Sequence, residues 1–170
     1  MKIKKILAKS ISYAPTKRNK KDIKYIVIHY TAGNNDTAVA EGNYFKNANT
    51  RKAGAHFFVG QDGTIVKSIP MDRTAWAVGG SKYSDCDKTG GGKYYGKCTN
   101  ANSVSIELCD NLNKDPSKAQ VQAVKDLVAY IRKYCPNART IIRHFDVTGK
   151  HCPARMMDKD KWVKFRGEIT

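Results

Sequence analysis

Short apolar runs alternate along the chain with longer segments in which apolar residues recur at helical spacing. The first run, residues 23–30, is apolar on both faces, which is typical of a strand in the middle of a covered sheet. It gives way to polar, turn-forming residues at His29. A helix is predicted next over residues 37–47, because Asn34, Asn35, Asp36 and Thr37 offer side chains that cap helices.

The middle of the chain predicts three more strands. Residues 55–59 and 64–69 flank Gln61-Asp62-Gly63, and Asp-Gly between two β-rich runs indicates a hairpin. Residues 104–109 alternate cleanly, so that Glu107 shares one face with Ser105 and Cys109 and the apolar residues share the other.

The last third predicts a long helix, a strand and a short helix. Asp115 as cap and Pro116 at the first position begin the long helix, and Pro136 ends it. Residues 140–144 form a strand that again ends on a histidine, and residues 158–165 form a short helix. Strands and helices alternate with one hairpin, which predicts an α/β fold with a central mixed β-sheet flanked by helices. The apolar stripe of the long helix comprises Ala119, Ala123, Val124, Leu127, Val128 and Ile131.

Two segments lie outside this pattern. Residues 1–22 are predicted to be an irregular basic lead-in, which leaves residues 23–170 as the single domain. Residues 79–101 form a long loop rich in Gly, Lys, Tyr and Asn, and loops of this length are usually functional or mobile. Neither Gly-Lys pair of the loop is followed by Ser or Thr, so the segment does not match a P-loop.

The charge of the chain is strongly unbalanced. Thirty-one Lys and Arg face 15 Asp and Glu, for a formal net charge of +16, and such a surface attracts polyanions. The partner is then either nucleic acid or an anionic cell-wall polymer such as teichoic acid, but no nucleic-acid-binding motif accompanies the charge. A chain of 170 residues is about one domain long, and we expect a monomer.

The cysteine count and the amino-terminal sequence indicate the cellular compartment in which the chain is made. Five cysteines, an odd number with no CxxC pair, argue against a disulfide framework and against a four-cysteine zinc site. Cys86 and Cys98, which flank the glycine-rich loop, could still pair under oxidising conditions. Lys9 interrupts the apolar run that begins at Ile6, so this run is too short for a signal sequence or a membrane span. We therefore expect synthesis in the cytoplasm.

Candidate chemistry gathers at the ends of two strands. A lone histidine there is more often structural than a ligand, but His29 and His144 both end strands, and Cys152 follows His144 across seven loop residues. Imidazole and thiolate suit Zn²⁺, and three such ligands leave a fourth position for water, which is the catalytic arrangement. His151 is a weaker ligand candidate because neighbours in an extended segment point in opposite directions.

Four motifs in this order extend the argument: VIHYTAG, AGAHFFVGQDG, SVSIELCDN and RHFDVTGKHCP. Over residues 22–157 the chain resembles the zinc-dependent N-acetylmuramoyl-L-alanine amidases of the type-2 family, which are related to phage lysozyme-like amidases and to peptidoglycan recognition proteins. The resemblance implies that His29, His144 and Cys152 hold one zinc ion. It also implies that Glu107 moves protons and that Lys150 stabilises an oxyanion.

The chain departs from the family pattern in two places. Ala55 stands where some members carry a catalytic tyrosine, which places the chain in the glutamate-bearing branch. Many members read Trp-His-Ala-Gly where this chain has Trp76-Ala77-Val78-Gly79, so one groove histidine is missing. Trp76 is then either a substrate wall or a core residue, and His56 either lines the groove or is buried. We take Trp76, His56 and Asn102 as candidate substrate contacts.

The resemblance implies a peptidoglycan hydrolase that cleaves the amide bond between N-acetylmuramic acid and L-alanine. We expect it to act on the cell wall after release, as an endolysin at phage lysis or as an autolysin exported by another route. Two alternatives stay open, a non-catalytic peptidoglycan-binding module and a basic nucleic-acid-binding protein.

Overall fold

The computed structural model describes all 170 residues, in eight strands, five α-helices and several 3₁₀ turns. The strands are β1 (Ile3–Lys5), β2 (Tyr13–Lys17), β3 (Tyr25–Tyr30), β4 (Phe57–Val59), β5 (Ile65–Lys67), β6 (Arg73–Ala75), β7 (Ser103–Leu108) and β8 (Thr140–Arg143). The helices are α1 (Ala38–Asn47), α2 (Cys86–Thr89), α3 (Lys118–Tyr134), α4 (His144–Thr148) and α5 (Lys159–Ile169).

Six strands form one mixed sheet in the order β1-β5-β4-β7-β3-β8, and β2 and β6 pair separately. The neighbours β4, β7, β3 and β8 are parallel, whereas β5 runs antiparallel to β4 in the predicted hairpin. The expected mixed sheet is confirmed. Because four parallel strands end at one edge, their carboxyl-terminal residues meet there.

Helices cover both faces of this sheet. On one face α3 and α5 pack against the apolar side chains of β3 and β7, including Ile26, Ile28 and Ile106, and form the largest core cluster. On the other face α1 covers β4 and β5, while α4 covers β3 and β8. The carboxyl ends of β3 and β7 lie between these two layers of helices, and the functional site opens there.

The structure corrects several expected elements. The lead-in is not irregular, because β1 extends the central sheet beside β5 and β2 pairs with β6. The domain boundary at residue 22 stays a prediction. The helix α3 begins at Lys118 with Ser117 as its cap, because the Asp115 carboxylate instead binds Arg155 and Lys161. Ala119 of the expected stripe is exposed.

Two smaller corrections concern loops. His144 is the first residue of α4 rather than the last of a strand, and the long loop contains α2. All five cysteines are buried free thiols, so the considered pairing of Cys86 with Cys98 is not formed. No helix has the length and apolar content that a membrane crossing needs.

Candidate metal centre

Two neighbouring strands and the loop after α4 bring the candidate ligands to one place. His29, near the end of β3, lies directly opposite Glu107 of β7 in the parallel register. His144 follows immediately after β8, the other neighbour of β3. The chain then turns through α4 and returns, and the backbone N–H of Phe145 donates to the carbonyl of Cys152 at 2.9 Å. This return places the Cys152 thiol beside both histidines.

The three side chains form a tight buried cluster. Their nitrogen and sulfur ligand atoms all lie within 4.8 Å of one another, and His29 Nδ1 is 3.8 Å from Cys152 Sγ. The two imidazole rings meet edge to face with 4.8 Å between their centroids. His29 Nε2 and both ring nitrogens of His144 are buried without a hydrogen-bond partner. Buried polar atoms rarely remain unpaired unless a ligand satisfies them.

The donor set fits a zinc ion. Tetrahedral coordination at the usual Zn–N and Zn–S bond lengths separates ligand atoms by roughly 3.3–3.7 Å. Here His29 Nδ1 and Cys152 Sγ are 3.8 Å apart, and no pair of ligand atoms is more than 4.8 Å apart. Burial lowers the pKa of His29 well below its usual value and lowers that of His144 to about 4, so both rings are neutral donors. Burial raises the pKa of the Cys152 thiol to about 12, so a bound metal would have to displace its proton.

Glu107 supplies a half-buried carboxyl group on the same face of the sheet as His29. Its Oε2 atom has no hydrogen-bond partner. The pKa of Glu107 is raised to about 8, mainly by burial. The Lys150 ammonium group opposes this rise, whereas the nearby Glu41 and Asp36 carboxylates contribute to it. A carboxyl group with a pKa near neutrality can both accept and return a proton.

A cavity of about 360 Å³ joins the predicted site residues. His29, Glu107, His144, Lys150 and Cys152 all line it. An adjoining cavity of about 540 Å³ shares Trp76, Ala77, His144 and Lys150 with the first, so the two form one groove across the cluster. The structure thus brings together all five residues that the sequence assigned to metal binding and catalysis.

Lys150 is held at the centre of the groove by the end of α4. Gly149 closes that helix in the left-handed region at φ 88°, and its N–H donates to the carbonyl of Phe145 at 2.9 Å. The exposed Lys150 follows, with its N–H directed to Thr148 Oγ1 at 3.3 Å. Its side chain lies where the two cavities meet.

Trp76 is half-buried and lines both cavities. The segment around it is fixed from two sides: the Trp76 N–H donates to Ser12, and the N–H groups of Ala77 and Val78 donate to Asn100 Oδ1. Of the two interpretations of Trp76, the geometry favours the groove wall. Its contact with substrate stays a prediction.

His56 and Asn102 lie outside the groove. His56 is fully buried; its Nδ1 accepts from the Ser105 N–H at 3.1 Å, and its Nε2 is 2.8 Å from Arg18 Nη2. Burial lowers the pKa of His56 to about 3, with Arg18 adding to the effect. Asn102 bonds to the backbone of Thr99 and Lys97. Both side chains serve packing and capping, and the geometry offers them no substrate.

Sequence reasoning missed four polar residues that line the groove: Glu41, Arg51, Lys52 and Asn100. Glu41 lies on the predicted α1, but helical spacing does not show which polar face meets a cavity. Arg51 and Lys52 belong to a basic chain in which no single cation stands out. Asn100 had a weak signal, since it lies in the long loop two residues from the chosen Asn102.

Comparisons with known proteins agree with this geometry. A family model described as N-acetylmuramoyl-L-alanine amidase matches residues 19–155. The N-acetylmuramoyl-L-alanine amidase XlyB of Bacillus subtilis (strain 168) is 27% identical over 169 residues, which is 98% of this chain and 48% of XlyB. The amidase CwlA of the same strain is 28% identical over 99% of this chain and 57% of its own length. The chain thus spans about half of these relatives.

The fold has a solved counterpart. The structure of PlyL superposes with a TM-score of 0.76 at 24% sequence identity, covering 100% of this chain and 98% of that one.

Proposed function

The chain belongs to the N-acetylmuramoyl-L-alanine amidase family, and from this premise we propose that it hydrolyses the amide bond between N-acetylmuramic acid and L-alanine in peptidoglycan. The observation that carries the proposal is the groove itself, which joins a buried His29, His144 and Cys152 cluster to the Glu107 carboxyl group and the Lys150 ammonium group. We propose that the cluster holds one zinc ion.

A zinc ion bound there supplies a Lewis acid, which lowers the pKa of a coordinated water and polarises the substrate carbonyl. His29, held rigidly in β3, and His144, at the start of α4, each bring one ring nitrogen within 4.8 Å of the other ligand atoms, and the His29 atom nearest Cys152 is Nδ1. The neutral state of both rings keeps their lone pairs free for coordination.

Glu107 moves the proton in this proposal. Its unpaired Oε2 accepts a proton from the attacking water and returns it to the amide nitrogen, which is otherwise a poor leaving group. Burial, which raises the pKa of Glu107, favours the protonated form that exists between the two transfers. Lys150 lies across the groove, where its ammonium group stabilises the negative charge that develops on the carbonyl oxygen.

The rest of the groove positions the polymer. Trp76 and Asn100 line the larger cavity, whereas Arg51 and Glu41 line only the smaller one. We propose that the protein acts as a monomer on the cell wall after release from the cell that makes it, and that its excess of Lys and Arg favours adhesion to anionic wall polymers.

Digestion of purified peptidoglycan tests the proposal. We expect new amino-terminal L-alanine, with product masses that match cleavage beside muramic acid, and we expect a chelator to abolish the reaction and zinc to restore it. Cleavage at a glycosidic or a peptide–peptide bond, or full activity in metal-free protein, would contradict it.

A matched pair of variants tests the role of Glu107. Glu107→Gln removes the proton acceptor at constant size, and we expect the turnover rate to fall by roughly 10²–10⁴-fold with zinc content unchanged. Glu41→Gln makes the same change to the other carboxyl group of the cavity, and we expect less than a tenfold effect. Equal rates in the two variants would remove Glu107 from the mechanism.

A non-catalytic binding module is the second candidate function. It would retain wall fragments without cleaving them and would need no metal. One zinc per chain, measured by elemental analysis together with hydrolysis, excludes it.

A further inference from the structure

A second polar cleft lies at the far end of β8 from the metal cluster. It has a volume of about 320 Å³ and is lined chiefly by Arg132, Arg139, Arg166, Thr140, Tyr94 and Thr170. Thr140 begins β8 and His144 follows its end, so the four-residue strand separates the cleft from the metal cluster by about 13 Å. No Asp or Glu side chain lines this cleft.

The three arginines converge from separate elements. Arg132 lies in the last turn of α3 and Arg166 in the last turn of α5, while Arg139 precedes β8. Arg132 links the end of α3 to the other two segments, since its Nη1 and Nη2 donate to the carbonyls of Thr170 and Arg139 at 3.3 and 3.2 Å. The cations at the two helix ends also complement the helix dipoles. That effect does not account for a third guanidinium group in a lining without Asp or Glu side chains.

One donor of the cleft has no acceptor. Arg132 Nε is buried and has no hydrogen-bond partner, although both terminal nitrogens of the same guanidinium group are engaged. Tyr94 and Thr140, whose side chains carry hydroxyl groups, also line the cleft. Planar guanidinium groups bind phosphate oxygens in paired hydrogen bonds, so a phosphate group matches this set of donors.

We propose that the cleft formed by Arg132, Arg139, Arg166 and Thr140 binds a phosphate group of a polyol-phosphate chain attached to peptidoglycan. The choice of a wall polymer rests on the proposed function. The composition of the lining also favours a wall polymer over nucleic acid, since Tyr94 is its only aromatic residue and packs edge to face against Tyr25. Single-stranded nucleic acid is bound on several stacked aromatic rings.

The test compares two charge-matched double variants. Arg139→Gln with Arg166→Gln removes two cations of the cleft. Lys118→Gln with Lys159→Gln removes two exposed cations at the opposite, amino-terminal ends of the same two helices. Binding is measured by co-sedimentation with cell-wall sacculi that carry poly(glycerol phosphate), with sacculi stripped of it by acid, and with a single-stranded oligonucleotide.

We expect the arginine variant to bind phosphate-bearing sacculi at least tenfold more weakly than wild type, because charge-assisted hydrogen bonds are lost. We expect the lysine variant to change less than threefold, and stripped sacculi to bind both variants alike. Equal losses in both variants, no preference for phosphate-bearing sacculi, or tighter binding to the oligonucleotide would overturn the proposal.

Two further measurements keep the outcome clear. Arg166 contacts the Trp162 ring, so the single variant Arg139→Gln, whose side chain forms no hydrogen bond or ion pair, is measured in parallel. A soluble muramoyl peptide without phosphate should be cleaved at the wild-type rate by both double variants. Failure of wild type to cleave it refutes the amidase function alone and leaves the binding result to decide on the cleft.

Discussion

The four histidines show what a single residue position can and cannot predict. His29 and His144 were predictable as ligands because each closes an apolar run of the sequence and Cys152 follows at loop distance. His56 follows an alanine at the start of a strand in a similar way, yet it is a buried packing residue. Its partner Arg18 comes from the lead-in 38 residues away, and no local pattern links the two.

A crossed pair of variants separates these roles. His29→Ala should lose bound zinc and hydrolysis, and because this buried side chain leaves a cavity, the metal-free chain should also lose some unfolding free energy while still folding. His56→Ala should keep one zinc per folded chain but lose about 2–4 kcal/mol of unfolding free energy, because it leaves a cavity and an unpaired Ser105 N–H.

Zinc content and chemical denaturation of both proteins provide the check. Retained zinc in His29→Ala would remove it from the ligand set, and an unchanged denaturation midpoint in His56→Ala would refute its packing role.

At the scale of elements, the sequence predicted where strands and helices lie better than where they begin. Asp115 and Pro116 match the usual start of a helix in the sequence. In the structure, however, the Asp115 carboxylate accepts hydrogen bonds from Arg155 and Lys161 of the carboxyl-terminal segment. Ser117, two residues on, therefore caps α3. A long-range ion pair of this kind competes with local capping and cannot be seen in a sequence window.

The Asp115 contacts predict a pH dependence. Hydrogen bonds from Arg155 and then Lys161 hold the pKa of Asp115 below its usual value, so the charged carboxylate stabilises the fold above the unfolded-state pKa of about 4. That contribution is lost as the pH falls through the lower folded-state pKa. Asp115→Asn should reduce the melting temperature at pH 7 and leave it close to wild type near pH 2, as thermal unfolding at both pH values would show.

Two helix-ending glycines provide an element-scale comparison. Gly90 ends α2 and Gly149 ends α4, both at positive φ, so alanine strains the backbone at each by roughly 1–3 kcal/mol. A methyl group at Gly90 meets open space, whereas one at Gly149 overlaps Cys86 Sγ.

Gly149→Ala should therefore cost clearly more stability than Gly90→Ala. It should also raise the KM for muramoyl peptide, because it displaces Lys150. Similar denaturation midpoints and kinetic constants for the two variants would contradict the tight packing at the end of α4.

At the scale of the whole molecule, the sequence predicted the α/β class and the mixed sheet but not the use of the amino terminus. Strand β1 is only three residues long and carries two lysines, so periodicity gives no signal for it. Its place in the sheet depends on pairing with β5, about 60 residues later. The family match likewise begins only at residue 19.

The amino-terminal segment should consequently be required for stability. Deleting residues 1–17 removes β1 and β2, and we expect a melting temperature at least 10 °C lower or loss of soluble protein. Replacing exposed Lys2 and Lys9 by glutamine changes the charge of the same segment without removing backbone pairing, and should shift the melting temperature by less than 2 °C. A stable, active deletion variant would show the segment to be dispensable.

The central position of β3 also sets the order of events during synthesis. Tyr25 pairs with Ser103 on one side and with Thr140 on the other, which lie 78 and 115 residues further along the chain. Pairings this distant in sequence form slowly, and during synthesis they cannot form before the later strands have left the ribosome. His29 therefore emerges long before its partners, and the candidate metal cluster cannot assemble until Cys152 has left the ribosome.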